Sequence, residues 1–399
     1  MNKLQRRIIW INSIPFEALH QSSSIELLRH MEERGFASIV ITVRSKGSFQ
    51  IEDSKVRMIS VPLKFVRFLS SFMFAICVSI LLPICILVSA PQFVIVNQPD
   101  ISVLGLIPNL LFSKLKRIKF VLDIRSVPVE TEGLAGFQQK LWFNISVLVA
   151  KKLFDGMTII TPLMRKDICN TFGIDSCDIG TWSSGVNTEL FDPKNYTSES
   201  ARLRKKLGLT GKFVVFYHGV FTATRGLKET VESMKILRIE CPNVVMFLLG
   251  RGPIVPILTD MVQQECLQEH VILHDSVDYG EVPKFIGMSD VCIVPLPDHP
   301  YWRSQCPLKL LEYLAMEKSV IVTDIPAHRL IIGEEKCGIY ISSVTPMEIA
   351  KSVVYAYHNK EKLPEWGKSG RAIVEEKYTW EKVAEDLENY LLSINKTIG

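Results

Sequence analysis

The chain has 399 residues, 47% of them hydrophobic and 22% charged, with 46 Lys plus Arg against 42 Asp plus Glu. At roughly 100 to 200 residues per domain this length implies two or three domains, and the composition excludes a disordered tail or a small disulfide scaffold. A formal net charge of +4 is too small to argue for nucleic acid as a partner, whereas a mean hydropathy of +0.20 is high for an ordinary globular chain and needs a local source.

The first apolar run, Ile8 to Ile14, is short, carries Asn12 and Ser13, and is followed by no small-residue cleavage site, so no cleavable signal peptide is expected. Nine cysteines are scattered without a CxxC pair, the usage of free thiols in a reducing compartment. Both features predict a cytoplasmic location.

Short β-branched runs then alternate with helical stretches: strand Ile8 to Ile11, helix Ser23 to Arg34, strand Ser38 to Val43 and strand Met58 to Val61. This rhythm predicts a parallel, doubly wound sheet. The surplus hydrophobicity lies next, in Ser71 to Ala90, twenty residues without a charge. Its length suits a membrane span. Strands of one predicted sheet flank it on both sides, however, and basic residues flank it on both sides as well: Arg6, Arg7, Lys64 and Arg67 before, and Lys114, Lys116, Arg117 and Lys119 after. A buried core helix and a helix whose outer face enters one leaflet therefore remain as readings. The second is favoured, because a helix of a doubly wound domain needs only one apolar stripe and this one is apolar all round.

The alternation resumes with strand Phe93 to Val96, helix Leu104 to Leu115, strand Phe120 to Ile124, helix Phe137 to Leu153 and strand Gly156 to Thr161, which closes a first domain over residues 1–185. A polar stretch, Gly185 to Glu199, is predicted as a hinge. A second alternating set from Phe213 to Ile341 defines a domain over residues 186–365, and residues 366–399 form a carboxyl-terminal helical segment. The expected fold class is α/β: two Rossmann-like doubly wound domains facing a cleft, with ligands at the carboxyl ends of the strands.

The stretch from Ser304 to Met316 reads SQCPLKLLEYLAM before a strand. Pro307 suits the first position of a helix, and the free N–H groups there, with the helix dipole, make a seat for phosphate. Lys309 adds a charge within the first turn, and Glu312, one turn past Leu308, is placed to accept bonds from ribose hydroxyls. From spacing alone, Lys309 and Glu312 read equally as the polar side of an amphipathic helix.

This segment resembles the donor-binding signature of the family 4 glycosyltransferases of the GT-B fold. Further landmarks recur in the same order: Tyr217 to Leu227 (YHGVFTATRGL), Leu248 to Pro253 (LLGRGP), Val271 to Val277, and the closing Glu376-Lys377-Tyr378-Thr379-Trp380-Glu381. The resemblance covers nearly all of residues 155–392, and its closing helix is expected to return to the first domain. It implies that Gly219, Arg225, Gly250, Ser276, Val277, Pro307, Leu308, Lys309 and Glu312 bind the donor. Arg225 and Lys309 would offset the charge of the leaving diphosphate, Ser276 and Val277 would bind the base, and Glu312 the ribose. The sequence departs from the family at Ser304, where a second glutamate is frequent, and at Val220, where a basic residue is frequent.

In the first domain, Asp123 and Arg125 close a strand in the region where related enzymes place acceptor-side residues, and Asp123 is the expected catalytic carboxylate there; an aspartate in such a place is otherwise a turn former. Glu130 and Glu132 are alternatives. His218 and His299 read as structural. No metal site is expected, because the Asp-x-Asp of metal-dependent sugar transfer is missing, and no cofactor beyond a nucleoside diphosphate sugar as co-substrate is implied. A P-loop and a GxGxxG are missing as well, which disfavours kinases and nicotinamide enzymes.

The resemblance thus implies a metal-independent, retaining glycosyltransferase moving a hexose or N-acetylhexosamine from a nucleotide sugar to a lipid-linked or glycan acceptor, in polysaccharide or glycolipid assembly. Its expected place is the inner face of the cell membrane, peripheral or monotopic. A nucleotide-sugar epimerase on the same fold and a non-catalytic membrane or complex subunit are the alternatives.

Overall fold

A computed structural model describes residues 6–14, 22–43, 54–61, 63, 69–97, 99–128, 133–334 and 336–396. The chain divides into two units, Met1–Ser184 with Trp380–Gly399, and Gly185–Thr379.

The first unit holds seven parallel strands: β1 (Arg6–Asn12), β2 (Phe36–Val43), β3 (Arg57–Val61), β4 (Phe93–Asn97), β5 (Lys119–Ile124), β6 (Gly156–Ile159) and β7 (Ile179–Thr181). Their order is β3-β2-β1-β4-β5-β6-β7, so the winding reverses between β1 and β4. The central strands are covered on both faces, which is why Ile8-Ile9-Trp10-Ile11 and Phe93-Val94-Ile95-Val96 read as continuous rather than alternating apolar runs. At their carboxyl ends the strands turn polar in register: Thr42 pairs with Asn12, Asn12 with Asn97, Asn97 with Asp123, and Asp123 with Thr158. All five are buried.

Right-handed crossovers put the helices Leu69–Ser89, Ile107–Lys116 and Gly133–Leu153 on one face of this sheet. The helices Ser22–Glu33 and Trp380–Lys396 pack together on the other. Leu69–Ser89 links β3 to β4 and so returns the chain to the sheet it left. It is apolar all round, as expected, but only one side is packed: Phe74, Val78, Leu82 and Ile86 are buried, while Phe72, Ile76, Ile80, Ile84 and Leu87 face outward. Its close approach to the turn Ile101–Leu106 depends on Gly105, where an added Cβ would fall 2.3 Å from the Ala75 carbonyl oxygen. Lys64, Arg67, Glu130 and Glu132 lie outside the described residues.

The second unit holds six parallel strands, β8 (Phe213–His218), β9 (Val244–Leu249), β10 (Val271–His274), β11 (Val291–Val294), β12 (Val320–Thr323) and β13 (Gly338–Ile341), in the order β10-β9-β8-β11-β12-β13. Part of the stretch read as a hinge is helical here. Asp192 accepts a bond from Lys194 N at 3.0 Å and caps the helix Pro193–Lys206. That helix is rich in charge and has only a narrow buried side, which hid it from a reading based on apolar periodicity. The helix Leu363–Lys377 also belongs to this unit and packs on Leu308–Ala315, and the return to the first unit begins at Trp380.

Candidate active site

The site in the second unit starts where β8 ends. Gly219 has φ +129, a left-handed conformation that disfavours a side chain, and an added Cβ there would sit 2.9 Å from Lys309 Nζ. Gly250, with φ +153, brings the loop after β9 against it: a Cβ on Gly250 would fall 1.9 Å from the Gly219 carbonyl oxygen. Two bare backbone loops are thereby nested beside the start of the helix Leu308–Ala315.

That helix begins one residue later than the motif predicts. Pro307 has φ −72 and ψ 112, outside the helix, and is its cap without a capping side chain, so Leu308 is the first helical residue. The amino-terminal N–H groups of such a helix end attract anions. From the first turn, Lys309 reaches back over the Tyr217 ring, with Nζ 3.7 Å from its centroid. Lys309 is buried, and its ammonium has no hydrogen-bond partner in the protein. Burial pushes its pKa well below the usual lysine value, Arg225 pushes it the same way, and Glu312 opposes them. Arg225 lies on the loop after Gly219, half-buried, with its guanidinium carbon 5.2 Å from the centre of the Trp302 ring. The Trp302 indole N–H donates to the Thr224 carbonyl at 3.0 Å, so ring and loop hold each other.

Glu312 is buried between two donors. His218 Nε2 lies 2.8 Å from Oε2, and the Tyr279 hydroxyl donates to Oε1 at 2.9 Å. An ionised carboxylate only accepts, so Nε2 carries the proton; His218 Nδ1 then accepts from the Tyr313 hydroxyl, 3.0 Å away. The Tyr313 oxygen in turn accepts from the His218 backbone N–H at 2.9 Å. Each Glu312 oxygen keeps a second lone pair for a ligand. Ser276 and Val277 follow β10, and Ser276 is exposed, bonded only to its neighbour Asp275. No hydrogen bond joins them to Glu312 directly; Tyr279, two residues beyond Val277, makes that link, and its ring packs edge-on against Phe191 at 5.5 Å.

Gly219, Gly250, Arg225, Pro307, Leu308, Lys309 and Glu312 thus stand around one place. Sequence reasoning missed Tyr217, Tyr279 and Trp302 and read His218 as structural. The available signal was local: Tyr217 and His218 precede the glycine that opens the loop, and Trp302 is an aromatic residue in the polar stretch before Ser304. His299 caps the four-residue turn Pro300–Arg303: its side chain accepts from Tyr301 N at 3.2 Å and its carbonyl accepts from Trp302 N at 2.8 Å.

In the first unit, Asp123 is buried, and its Oδ1 accepts from the Thr158 hydroxyl at 2.7 Å. Burial pushes its pKa up to about 6, against the opposing pull of the Arg125 guanidinium, the Thr158 hydroxyl and the Trp182 indole. Arg125 stacks on Trp182, 3.4 Å from the ring centre, and donates to the Trp182 carbonyl at 2.7 Å. Asp123 and Arg125 are thus brought together on the polar end of the sheet, with Trp182 between backbone and cation.

Residues 199–373 of the chain match the family described as Glycosyl transferases group 1. Its fold is that of the GT-B enzymes. A glycosyltransferase from Rickettsia africae superposes with a TM-score of 0.78 over 99% of this chain and 100% of its own, at 15% identity. HepE from Anabaena, solved in complex with UDP and glucose, superposes with a TM-score of 0.76 over 97% of this chain and 99% of its own, at 13% identity.

Among curated relatives, the GDP-mannose-dependent alpha-(1-6)-phosphatidylinositol monomannoside mannosyltransferase of Mycolicibacterium smegmatis is 26% identical over 141 residues, 35% of this chain and 36% of that one. The alpha-monoglucosyldiacylglycerol synthase of Acholeplasma laidlawii is 23% identical over 213 residues, 53% of this chain and 52% of that one. The chain spans about half the length of the first curated relatives it matches.

Proposed function

We propose that the protein transfers a hexose or N-acetylhexosamine from a nucleoside diphosphate sugar to a lipid-linked or glycan acceptor, with retention of configuration, in cell-surface polysaccharide or glycolipid assembly. The observation that carries this reading is Lys309, a buried ammonium without a protein acceptor, beside a side-chain-free loop and a helix start. Burying a cation is costly unless an anion accompanies it, and a diphosphate is the anion that would fit a glycine loop and a helix amino terminus.

In this reading the bond from the anomeric carbon to the diphosphate oxygen breaks. Arg225, Lys309 and the helix N–H groups then stabilise the charge gathering on the departing oxygen. Glu312, fixed by His218 and Tyr279, takes the ribose hydroxyls, and the loop carrying Ser276 and Val277 takes the base. HepE, the structural neighbour solved with UDP and glucose, supports UDP as the first nucleotide to test. Asp123 and Arg125 serve the acceptor, with Asp123 orienting its hydroxyl and taking up the proton. Because two side-chain cations meet the diphosphate, turnover is expected to persist in a chelator.

The membrane surface is the proposed place of action. The exposed side of Leu69–Ser89 supports it, and so do two relatives whose names specify lipid acceptors. Nine scattered cysteines without a CxxC pair suit the cytoplasmic side.

The test is a thermal-shift panel of UDP and GDP sugars on the wild-type protein and on Arg225→Ala, followed by transfer of labelled sugar to extracted lipids. A shift with one nucleotide sugar that Arg225→Ala loses supports the reading. Silence across the panel overturns it, and turnover of the donor without any acceptor would assign the chain to the epimerase class instead.

A further inference from the structure

Twenty large hydrophobic side chains are exposed among the described residues, and fourteen of them lie on three neighbouring helices on one face of the first sheet. Seven are on Leu69–Ser89, two on Ile107–Lys116 and five on Gly133–Leu153. On the last helix, Leu134, Phe137, Leu141 and Leu148 recur at helical spacing and form a stripe of their own, turned away from buried Phe143, Val147 and Ala150. The apolar surface therefore extends well beyond Leu69–Ser89.

Charge on these three helices has one sign. The three helices contain no Asp or Glu, whereas Lys114, Lys116, Lys140, Lys151 and Lys152 are exposed on them and Arg117 is exposed just past the second. Nearby, Asp100 is half-buried, with its pKa raised by desolvation, Asp155, just beyond the third helix, is paired with Lys119 at 3.0 Å, and the adjoining helix Pro162–Phe172 carries exposed Asp167.

We infer that the helices Leu69–Ser89, Ile107–Lys116 and Gly133–Leu153 form one lipid-docking face that selects anionic phospholipid. This inference rests on the membrane part of the proposed function and names its chemistry. Apolar side chains of the first and third helices enter the boundary between headgroups and acyl chains, while the lysines and Arg117 meet lipid phosphates. A second copy of the chain is a poor occupant of the same face, because a self-complementary contact would set the basic residues of three helices that carry no Asp or Glu against one another.

The test is flotation of the full chain with vesicles of phosphatidylcholine alone and of phosphatidylcholine mixed with phosphatidylglycerol. Three variants are compared: Ile80→Ser with Ile84→Ser, Phe137→Ser with Leu141→Ser, and Lys116→Glu with Lys152→Glu. Wild type should float only with the anionic vesicles. The serine pair on Gly133–Leu153 should lower binding as the pair on Leu69–Ser89 does. The charge reversal should lower it about 25-fold or more, at roughly fivefold per basic residue near an anionic surface.

Loss of binding in the Leu69–Ser89 pair alone would overturn the three-helix face and leave the simpler membrane reading standing. Equal binding to both vesicle types would overturn the lipid selectivity. A wild-type dimer that the Phe137 and Leu141 substitutions dissociate would assign the face to a second copy instead. The charge-reversal sites are exposed, so that variant keeps its core, and far-ultraviolet circular dichroism with the nucleotide-sugar thermal shift verifies folding of all three independently of lipid.

Discussion

His218 Nε2 and Glu312 Oε2 are 2.8 Å apart, and the Tyr279 hydroxyl holds the other oxygen of the same carboxylate at 2.9 Å. A carboxylate so held has lost its rotational freedom before a ligand arrives, which lowers the entropic cost of binding a ribose. His218→Ala should therefore raise KM for the nucleotide sugar about tenfold, the worth of one hydrogen bond to a charged group, with a smaller effect on kcat. Tyr279→Phe should act in the same direction and more weakly. Glu312→Ala, which removes the ribose acceptor itself, should cost at least another tenfold in kcat/KM. Steady-state kinetics on the three variants separates these outcomes, and an unchanged KM in His218→Ala would mean that Glu312 needs no such support.

Lys309 sets stability against binding. A buried ammonium without an acceptor destabilises the protein that carries it, so Lys309→Met, which keeps an apolar stem, should raise the unfolding free energy of the second unit by about 1–3 kcal/mol. The same change should weaken nucleotide-sugar binding at least about a hundredfold. The pH dependence follows from the sign of the shift: with the folded pKa depressed below 10.5, the unfolded chain binds more protons, so stability rises with pH up to about 10.5. Denaturant titrations at several pH values, with and without UDP sugar, test both claims. A variant no more stable than wild type would mean that Lys309 is solvated in solution.

Asp123 titrates in the opposite sense. Its folded pKa of about 6 lies above the unfolded value of 3.8, so the folded state holds the extra proton between these limits. Its contribution is fully present below 3.8 and is lost as pH rises through 6, leaving a cost of about 3 kcal/mol at neutral pH. Asp123→Asn should thus stabilise the first unit at pH 8 while lowering kcat by about 10² to 10⁴. If the ionised carboxylate takes the acceptor proton, the wild-type rate should fall below a midpoint near pH 6. A rate that stays flat down to pH 5 would take Asp123 out of the proton transfer.

Much of this was readable from residues whose role is set by local chemistry. The apolar runs of β1, β4, β8 and β11 are continuous because the strands are covered on both faces, and they declare a parallel sheet without help from tertiary contacts. Pro307, Lys309 and Glu312 are visible because a helix start, a cation and a carboxylate share two turns. Tyr279 and Trp302 were not, because Tyr279 depends on the loop after β10 folding back to that helix and Trp302 on the loop after β11 meeting Thr224 in the loop after β8. The two sides of Leu69–Ser89 were hidden for a different reason: both are apolar, and only packing against the sheet distinguishes Phe74 from Phe72.

The closing helix illustrates a contact that composition alone would not reveal. Tyr390 lays its ring on Gly180, where an added Cβ would fall 2.3 Å from Cγ, and sets its hydroxyl against Gly156, where the Cβ would be 2.3 Å away. That hydroxyl donates to the Asp178 carbonyl at 2.7 Å and accepts from Met157 N at 3.0 Å, so it bridges β6 and the turn before β7. Gly180→Ala should push the ring off the sheet and destabilise the first unit by about 1–3 kcal/mol. Tyr390→Phe should cost about 1–2 kcal/mol, because Met157 N and the Asp178 carbonyl lose their partner while the ring stays in place. Neither change touches Glu312 or Lys309, so the nucleotide-sugar thermal shift should survive in both variants. Chemical denaturation reads the first effect and ligand titration the second; a Tyr390→Phe protein as stable as wild type would show that packing on the two glycines alone holds the helix.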